Sequence, residues 1–377
     1  MRSYRPRSII DSFGPIAYTG NVFSRLPDVR APNVKVTANF ASDNTAAVHP
    51  AVMAALADVN TGNAAAYGHD ETTEALNIRM RAVFGNPDLR AFPVFNGSAC
   101  NGLALSRMIR PYESVLSHRQ AHINNDECGL PEFFTGGKLV PLDGPGAKID
   151  PDGIGRLIES SLGHSPHTSR PKVISVTQST ELGTTYKLED LRALRAIADR
   201  FGMFMHMDGA RIANAVASLG ADPAEVVRGI DILSFGGTKN GAMLAEAAVI
   251  LNPALIDDFA YIHKRAGQLP SKARYVSAQL LALLTGDLWI ELGAQANAMA
   301  RALRNGLLAM DGIGLLYPVE ANELFVTLPR AKADAVLAKG HRFYPWPNEG
   351  DDAYRLVTSY MTTQADVDAF LSDYVNA

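Results

Sequence analysis

Between Phe40 and about residue 250 the chain alternates short apolar runs with amphipathic stretches, a pattern that predicts an α/β fold. The apolar runs AFPVF at 91–95, SVLS at 114–117, KVISVT at 172–177, MFMHMD at 203–208 and DILSFG at 231–236 have strand length and strand composition. Between the last three lie helical patterns. In LEDLRALRAIADRFG, Leu188, Leu191, Leu194, Ala198 and Phe201 fall on one face, and Gly202 supplies the stop. Strands separated by helices of this length pair in parallel through crossovers, which implies a doubly wound sheet. The final stretch reads differently. An Ala-rich helix, AQANAMARALRNGLLAM, precedes the strand candidates ELFVTLP, HRFYPW and YRLVTSY, expected to be antiparallel, and then a closing helix. Thr363 followed by Asp366 resembles a capping box for that last helix. The expected organisation is an extension over 1–37, a large domain over 38–285 and a small α+β domain over 286–377.

Composition narrows the class without naming a chemistry. The 377 residues are 47% hydrophobic and 20% charged, ample for a buried core and unlike a disordered chain. A net charge of −4 gives no basic excess for nucleic acid or an anionic membrane surface, and no run of about 18 apolar residues suits a membrane span. Two cysteines, Cys100 and Cys128, make no disulfide framework and fit a reducing cytoplasm. The basic start suggests a transit peptide, but Pro6, Pro15, Pro27 and Pro32 interrupt it and a signal-peptide apolar core is missing. The extension is expected to pack against its own subunit or a neighbour, or to be disordered at its first residues.

Three segments carry chemistry. In SFGGTKNG, residues 234–241, an apolar strand runs into two glycines and a single lysine, Lys239, at the edge where open α/β sheets bind ligands. Such an amine can form a Schiff base, while the bland reading is a solvated lysine in a turn. In FMHMDGARIANA, Asp208 ends an apolar strand, where a buried carboxylate needs a cationic partner. A pyridinium nitrogen is one such partner. An Asp208–Arg211 salt bridge is the structural alternative, yet it leaves unexplained the spacing of about 31 residues to Lys239. Third, FNGSACNGLALSRM at 95–108 is a strand, a small-residue turn and a helix. Its Gly97, Ser98 and Ala99 would present backbone N–H groups and a hydroxyl to a phosphate, although it is neither a Walker loop nor GxGxxG.

In this order, SFGGTKNG, HMDGARIANA, FNGSACN and AHINNDECGLPEFF closely resemble the pyridoxal-phosphate L-threonine aldolases of fold type I, nearest to their low-specificity and phenylserine aldolase branch. FASDNTA, AAAYGHDE and YRLVTSYMTT resemble further motifs of that branch, so the likeness spans roughly residues 38 to 375. The resemblance implies a mostly parallel seven-stranded central sheet with a smaller C-terminal domain, and pyridoxal 5'-phosphate as cofactor. It implies that Lys239 is the Schiff-base lysine, Asp208 pairs with the pyridinium nitrogen, Gly97 and Ser98 bind phosphate, and His122 stacks on the ring. Arg211 and Arg355 would bind the substrate carboxylate with help from Ser42, and Tyr67 would line the site from a neighbouring subunit. His167, or else His164, would stand near the substrate hydroxyl. Ser98 and Cys100 occupy positions where relatives often carry Thr and Ala, and a further phosphate cation is left open among Lys264, Arg265 and Lys272.

The implied reaction is retro-aldol cleavage of a β-hydroxy-α-amino acid to glycine and an aldehyde. Two arginines suit the carboxylate because guanidinium binds it in bidentate fashion, which sets the breaking bond perpendicular to the ring. The base is open between His122, His167 and water. Cys128 is expected to be a buried small hydrophobe. The alternatives are β-elimination, transamination or hydroxymethyl transfer with the same cofactor. A cofactor-sensing regulator would need a DNA-binding segment that the sequence does not display. No metal is expected, and the resemblance suggests a homo-oligomer, a dimer of dimers with shared sites, in the cytoplasm.

Overall fold

The computed structural model describes residues 36–377, so all but the last two residues of the expected extension lie outside it. Seven strands form the main sheet: β1 (Arg90–Val94), β2 (Glu113–His118), β3 (Lys138–Leu142), β4 (Arg170–Thr177), β5 (Phe204–Gly209), β6 (Ile232–Gly236) and β7 (Glu246–Ile250). Their order is β1-β7-β6-β5-β4-β2-β3, and β7 alone runs antiparallel to its neighbours. Every residue of β2, β6 and β7 is buried, because crossover helices cover both faces of the sheet. Pro93 is tolerated because β1 is an edge strand.

One face packs the helices Glu71–Val83, Leu188–Arg200, Ile212–Leu219 and Arg274–Leu284 around Leu76, Leu194, Ile212 and Leu280. Of the five positions expected on one face of the 188–201 segment, Leu191, Leu194 and Ala198 are buried. The other face is closed by the helix Gly97–Met108 and by Phe259.

A second sheet, β8 (Gly314–Leu315), β9 (Glu323–Thr327), β10 (Tyr344–Pro345) and β11 (Ala353–Val357), is antiparallel in the order β10-β11-β9-β8. The expected capping box is present, with Thr363 and Asp366 reciprocally bonded at the start of the helix Gln364–Val375. The long helix Leu288–Leu308 serves both cores: Trp289 and Leu292 pack under the large sheet, whereas Ala300, Leu303 and Leu307 pack in the small one. Ala38 and Phe40, placed by the sequence at the start of the large domain, belong to the small core. Backbone bonds from Phe40 to Arg342 (2.7 Å) and from Val357 to Phe40 (2.8 Å) bring the following residues, Ser42 and Asp43, over the main sheet's edge.

Candidate active site

Six of the seven main strands share one direction, so the turns after β1, β2, β4, β5 and β6 meet along one edge. Asp208 lies near the end of β5, opposite Thr177 of β4 and Ser234 of β6. It is only 4% exposed, and its carboxylate accepts from Asn101 Nδ2 at 2.9 Å and from the Ala210 N–H at 3.0 Å. No cation of the described residues pairs with it. Lys239 stands one strand over, in the helical turn Thr238–Asn240 after β6. Glu246 of β7 holds that turn by accepting the N–H groups of Gly237 (3.0 Å) and Thr238 (3.2 Å). Burial pushes the Glu246 carboxyl up to about 7. Gly236 and Gly237 are required here, since a Cβ would lie 2.5 Å from the Ala210 carbonyl oxygen or 2.6 Å from that of Ala245.

His122 opens a short helix just beyond β2. Its Nδ1 lies 2.8 Å from Glu127 Oε1, the same oxygen that accepts from Asn101 Nδ2 at 2.8 Å. Asn101 therefore ties the His122–Glu127 pair to Asp208. Burial opposes a charge on His122, but the bond to Glu127 and the fields of Asp208 and Glu127 outweigh it, and its pKa is raised. Burial and the nearby Asp208 also raise Glu127, against the lowering effect of its bonds to His122 and Asn101. The His122 backbone N–H donates to Glu181 Oε1 at 2.7 Å.

At the turn after β1, Asn96 caps the helix Gly97–Met108 by accepting from the Ala99 N–H at 2.8 Å, so Ala99, expected among the phosphate donors, has its N–H engaged by the cap. The N–H groups of Gly97 and Ser98 remain as the free first-turn donors of that helix, and the space a Cβ on Gly97 would enter is empty to 4 Å.

The arginines divide. Arg211 does not meet Asp208; its Nε and Nη2 donate to Asp43 at 2.6 and 3.1 Å, and Nη1 faces Glu323 at 3.4 Å. The guanidinium expected to grip a substrate carboxylate is thus already held by two buried carboxylates of the protein. Arg355, on β11, packs its guanidinium 5.3 Å from the Trp346 ring centre, and its buried Nε has no partner among the described residues. Ser42 precedes Asp43 and caps its turn, accepting the Asn44 N–H at 3.1 Å. Tyr67 is exposed in a left-handed backbone conformation (φ 60°), with the Lys264 ammonium 4.7 Å from its ring centre.

One expectation is overturned, and another is not met within this chain. His167, and with it His164, lies in the exposed turn that leads into β4 at Arg170, whereas the site lies at the other end of that strand. Eight residues of β4 separate the two ends by about 23 Å, so His167 cannot approach Lys239 within this chain. Cys128 is exposed rather than buried, with φ 52° in the turn after Glu127. The sequence also hid four functional partners, Asn101, Glu127, Glu181 and Glu246, whose roles exist only once distant segments meet. The single available signal was a set of carboxylates and an amide next to apolar strand ends.

The residues fit pyridoxal phosphate on observations of this structure: an unpaired buried carboxylate, a lysine one strand away, a free helix start and an imidazole beside them. Among the described residues no cluster of three or more side chains could hold a metal ion.

The model of the beta-eliminating lyase family matches residues 39–331. A low specificity L-threonine aldolase of Pseudomonas aeruginosa is 40% identical over 83% of this chain and 91% of its own length. Another from a Pseudomonas species is 39% identical over 89% and 96% respectively. Among solved structures, a threonine aldolase of Leishmania major superposes with a TM-score of 0.85 at 29% identity, over 90% of this chain and 99% of that one. An aspartate aminotransferase of Thermus thermophilus shares the fold at 20% identity, with a TM-score of 0.67 over 93% and 99% of the two chains. The chain belongs to the beta-eliminating lyase family, pyridoxal-phosphate enzymes of fold type I, and groups within it with the low-specificity L-threonine aldolases.

Proposed function

We propose that the protein cleaves L-β-hydroxy-α-amino acids (threonine, allo-threonine and phenylserine) between Cα and Cβ, giving glycine and an aldehyde. Asp208 carries the reading: a buried carboxylate without a protein cation, one strand from Lys239, matches a protonated ring nitrogen. The names of the Pseudomonas relatives support the substrate class. When bound, pyridoxal phosphate supplies the electron sink for the pair released from the Cα–Cβ bond.

The residues divide the work. Asp208 keeps a proton on the ring nitrogen, and Asn101 and the Ala210 N–H fix its two oxygens. Lys239 is the amine to which the cofactor links. Gly97 and Ser98 give their N–H groups to the phosphate. His122 offers its ring face, held in orientation by Glu127. Arg355, with an unpartnered Nε, takes the substrate carboxylate beside Ser42. Arg211 supports that end of the site by fixing Asp43 and so the turn bearing Ser42. The exposed Tyr67 suits a site shared across subunits of a homo-oligomer, read as a dimer of dimers in the cytoplasm.

Incubation with pyridoxal phosphate and either threonine or phenylserine should yield glycine and aldehyde in equal amounts. Ammonia with a keto acid would instead establish the β-elimination reading, and no product from any hydroxy amino acid would refute cleavage.

A further inference from the structure

Glu181 is a half-buried acid of the site, and none of the roles above uses it. It sits in the turn that follows β4, and that turn is rigid. Gln178 clamps Tyr186 from both sides, accepting its N–H at 2.9 Å and donating to its carbonyl at 3.0 Å. The hydroxyls of Thr180 and Thr184 bond at 2.9 Å. Gly183 (φ +73°) lies so close to β9 that a Cβ would come within 2.6 Å of the Glu323 carbonyl oxygen.

The carboxylate held by this turn is half satisfied. Oε1 accepts from the His122 N–H at 2.7 Å and from Thr177 Oγ1 at 2.8 Å, whereas Oε2 is buried with no partner among the described residues. A buried acceptor left without a donor is unfavourable, and a substrate hydroxyl donating to it would remove that cost. The alternative base is poorly placed: His122 Nδ1 is committed to Glu127 at 2.8 Å. Burial and Asp208 lift the Glu181 carboxyl to about 7, where a general base works best. The charged and titratable groups that feel Glu181 are Asp208, His122, Arg211 and Tyr186.

We propose that Glu181 is the general base for the substrate's β-hydroxyl, with Oε2 as the accepting atom. The hydroxyl proton passes to Oε2, and the O–H electron pair becomes the second C–O bond of the aldehyde. The Cα–Cβ pair stays with the glycine fragment, which takes up one proton at Cα while Glu181 returns its own to water. This rests on the cleavage reading above.

The test is E181Q, which keeps an acceptor for His122 and Thr177. Glycine has no β-hydroxyl, so exchange of its α-proton into deuterium oxide bypasses the proposed step. E181Q should lose about 10²- to 10⁴-fold in kcat for threonine, with glycine exchange and glycine affinity held within about threefold. The rising limb of the wild-type kcat profile near pH 7 should vanish with it. Independently of activity, the infrared difference between wild type and E181Q should contain a carboxylic-acid band that titrates near 7, while the contribution of Glu246 persists in both proteins. Cleavage within about tenfold of wild type, parallel loss of cleavage and exchange, or an unchanged infrared titration overturns the proposal. A wild-type protein that exchanges glycine but cleaves no hydroxy amino acid overturns the reaction and the proposal with it.

Discussion

Asp43→Asn removes the charge from the best-buried ion pair of the site and leaves its shape intact. Asp43 is 2% exposed and accepts two guanidinium N–H bonds from Arg211 and one from Asn322 at 3.1 Å. Removing one partner of a buried pair costs about 3–5 kcal/mol because the other charge is left stranded. Here Glu323, 3.4 Å from Arg211 Nη1, keeps part of the compensation, so the expected loss is nearer 2–4 kcal/mol. At about 2 °C per kcal/mol for a domain of this size, Tm falls by roughly 4–8 °C.

The pH dependence has a definite sign. Burial alone would raise the Asp43 carboxyl, but Arg211 and Lys239 overcome it and hold it below the ordinary value. Its stabilisation is therefore complete above the unfolded pKa of about 4 and is lost as pH falls through the lower folded value. Thermal unfolding by circular dichroism should show the gap between wild type and D43N in full at about pH 7, narrowing as pH drops below about 4. A gap under about 1 °C at neutral pH, or one that widens in acid, would refute the argument.

Further expectations follow from the same structure. Arg355→Gln should raise KM for threonine by about 10- to 100-fold, the equivalent of one charge-assisted contact, while Tm stays near wild type. His167→Ala should leave kcat and KM within about twofold, and a loss near 10²-fold would restore it as a participant. Leu194→Ala, at a fully buried position against the sheet, should cost about 2–5 kcal/mol in urea unfolding with KM unchanged.

Most of the main sheet was legible because its strands are apolar runs bounded by turns. β3 escaped because KLVPL carries Pro141 and lies at the sheet edge, and β7 because EAAVI opens on the buried Glu246. Lys239 and Asp208 were readable since strand-end polarity is local. Arg211's partner was not, because Asp43 lies 168 residues away and reaches it only when the segment after Phe40 crosses from the small core. His167 stands just before the parallel strand β4, hence at the sheet edge opposite Lys239 of the same chain, a placement the strand reading at 172–177 already implied.

Lys239 is the residue on which the cofactor assignment turns. Protein incubated with pyridoxal phosphate, reduced with borohydride and digested should carry the pyridoxyl group on the peptide containing Lys239, and Lys239→Ala should carry none. Labelling of another lysine, or a Lys239→Ala protein that keeps a reducible link and full turnover, would contradict it.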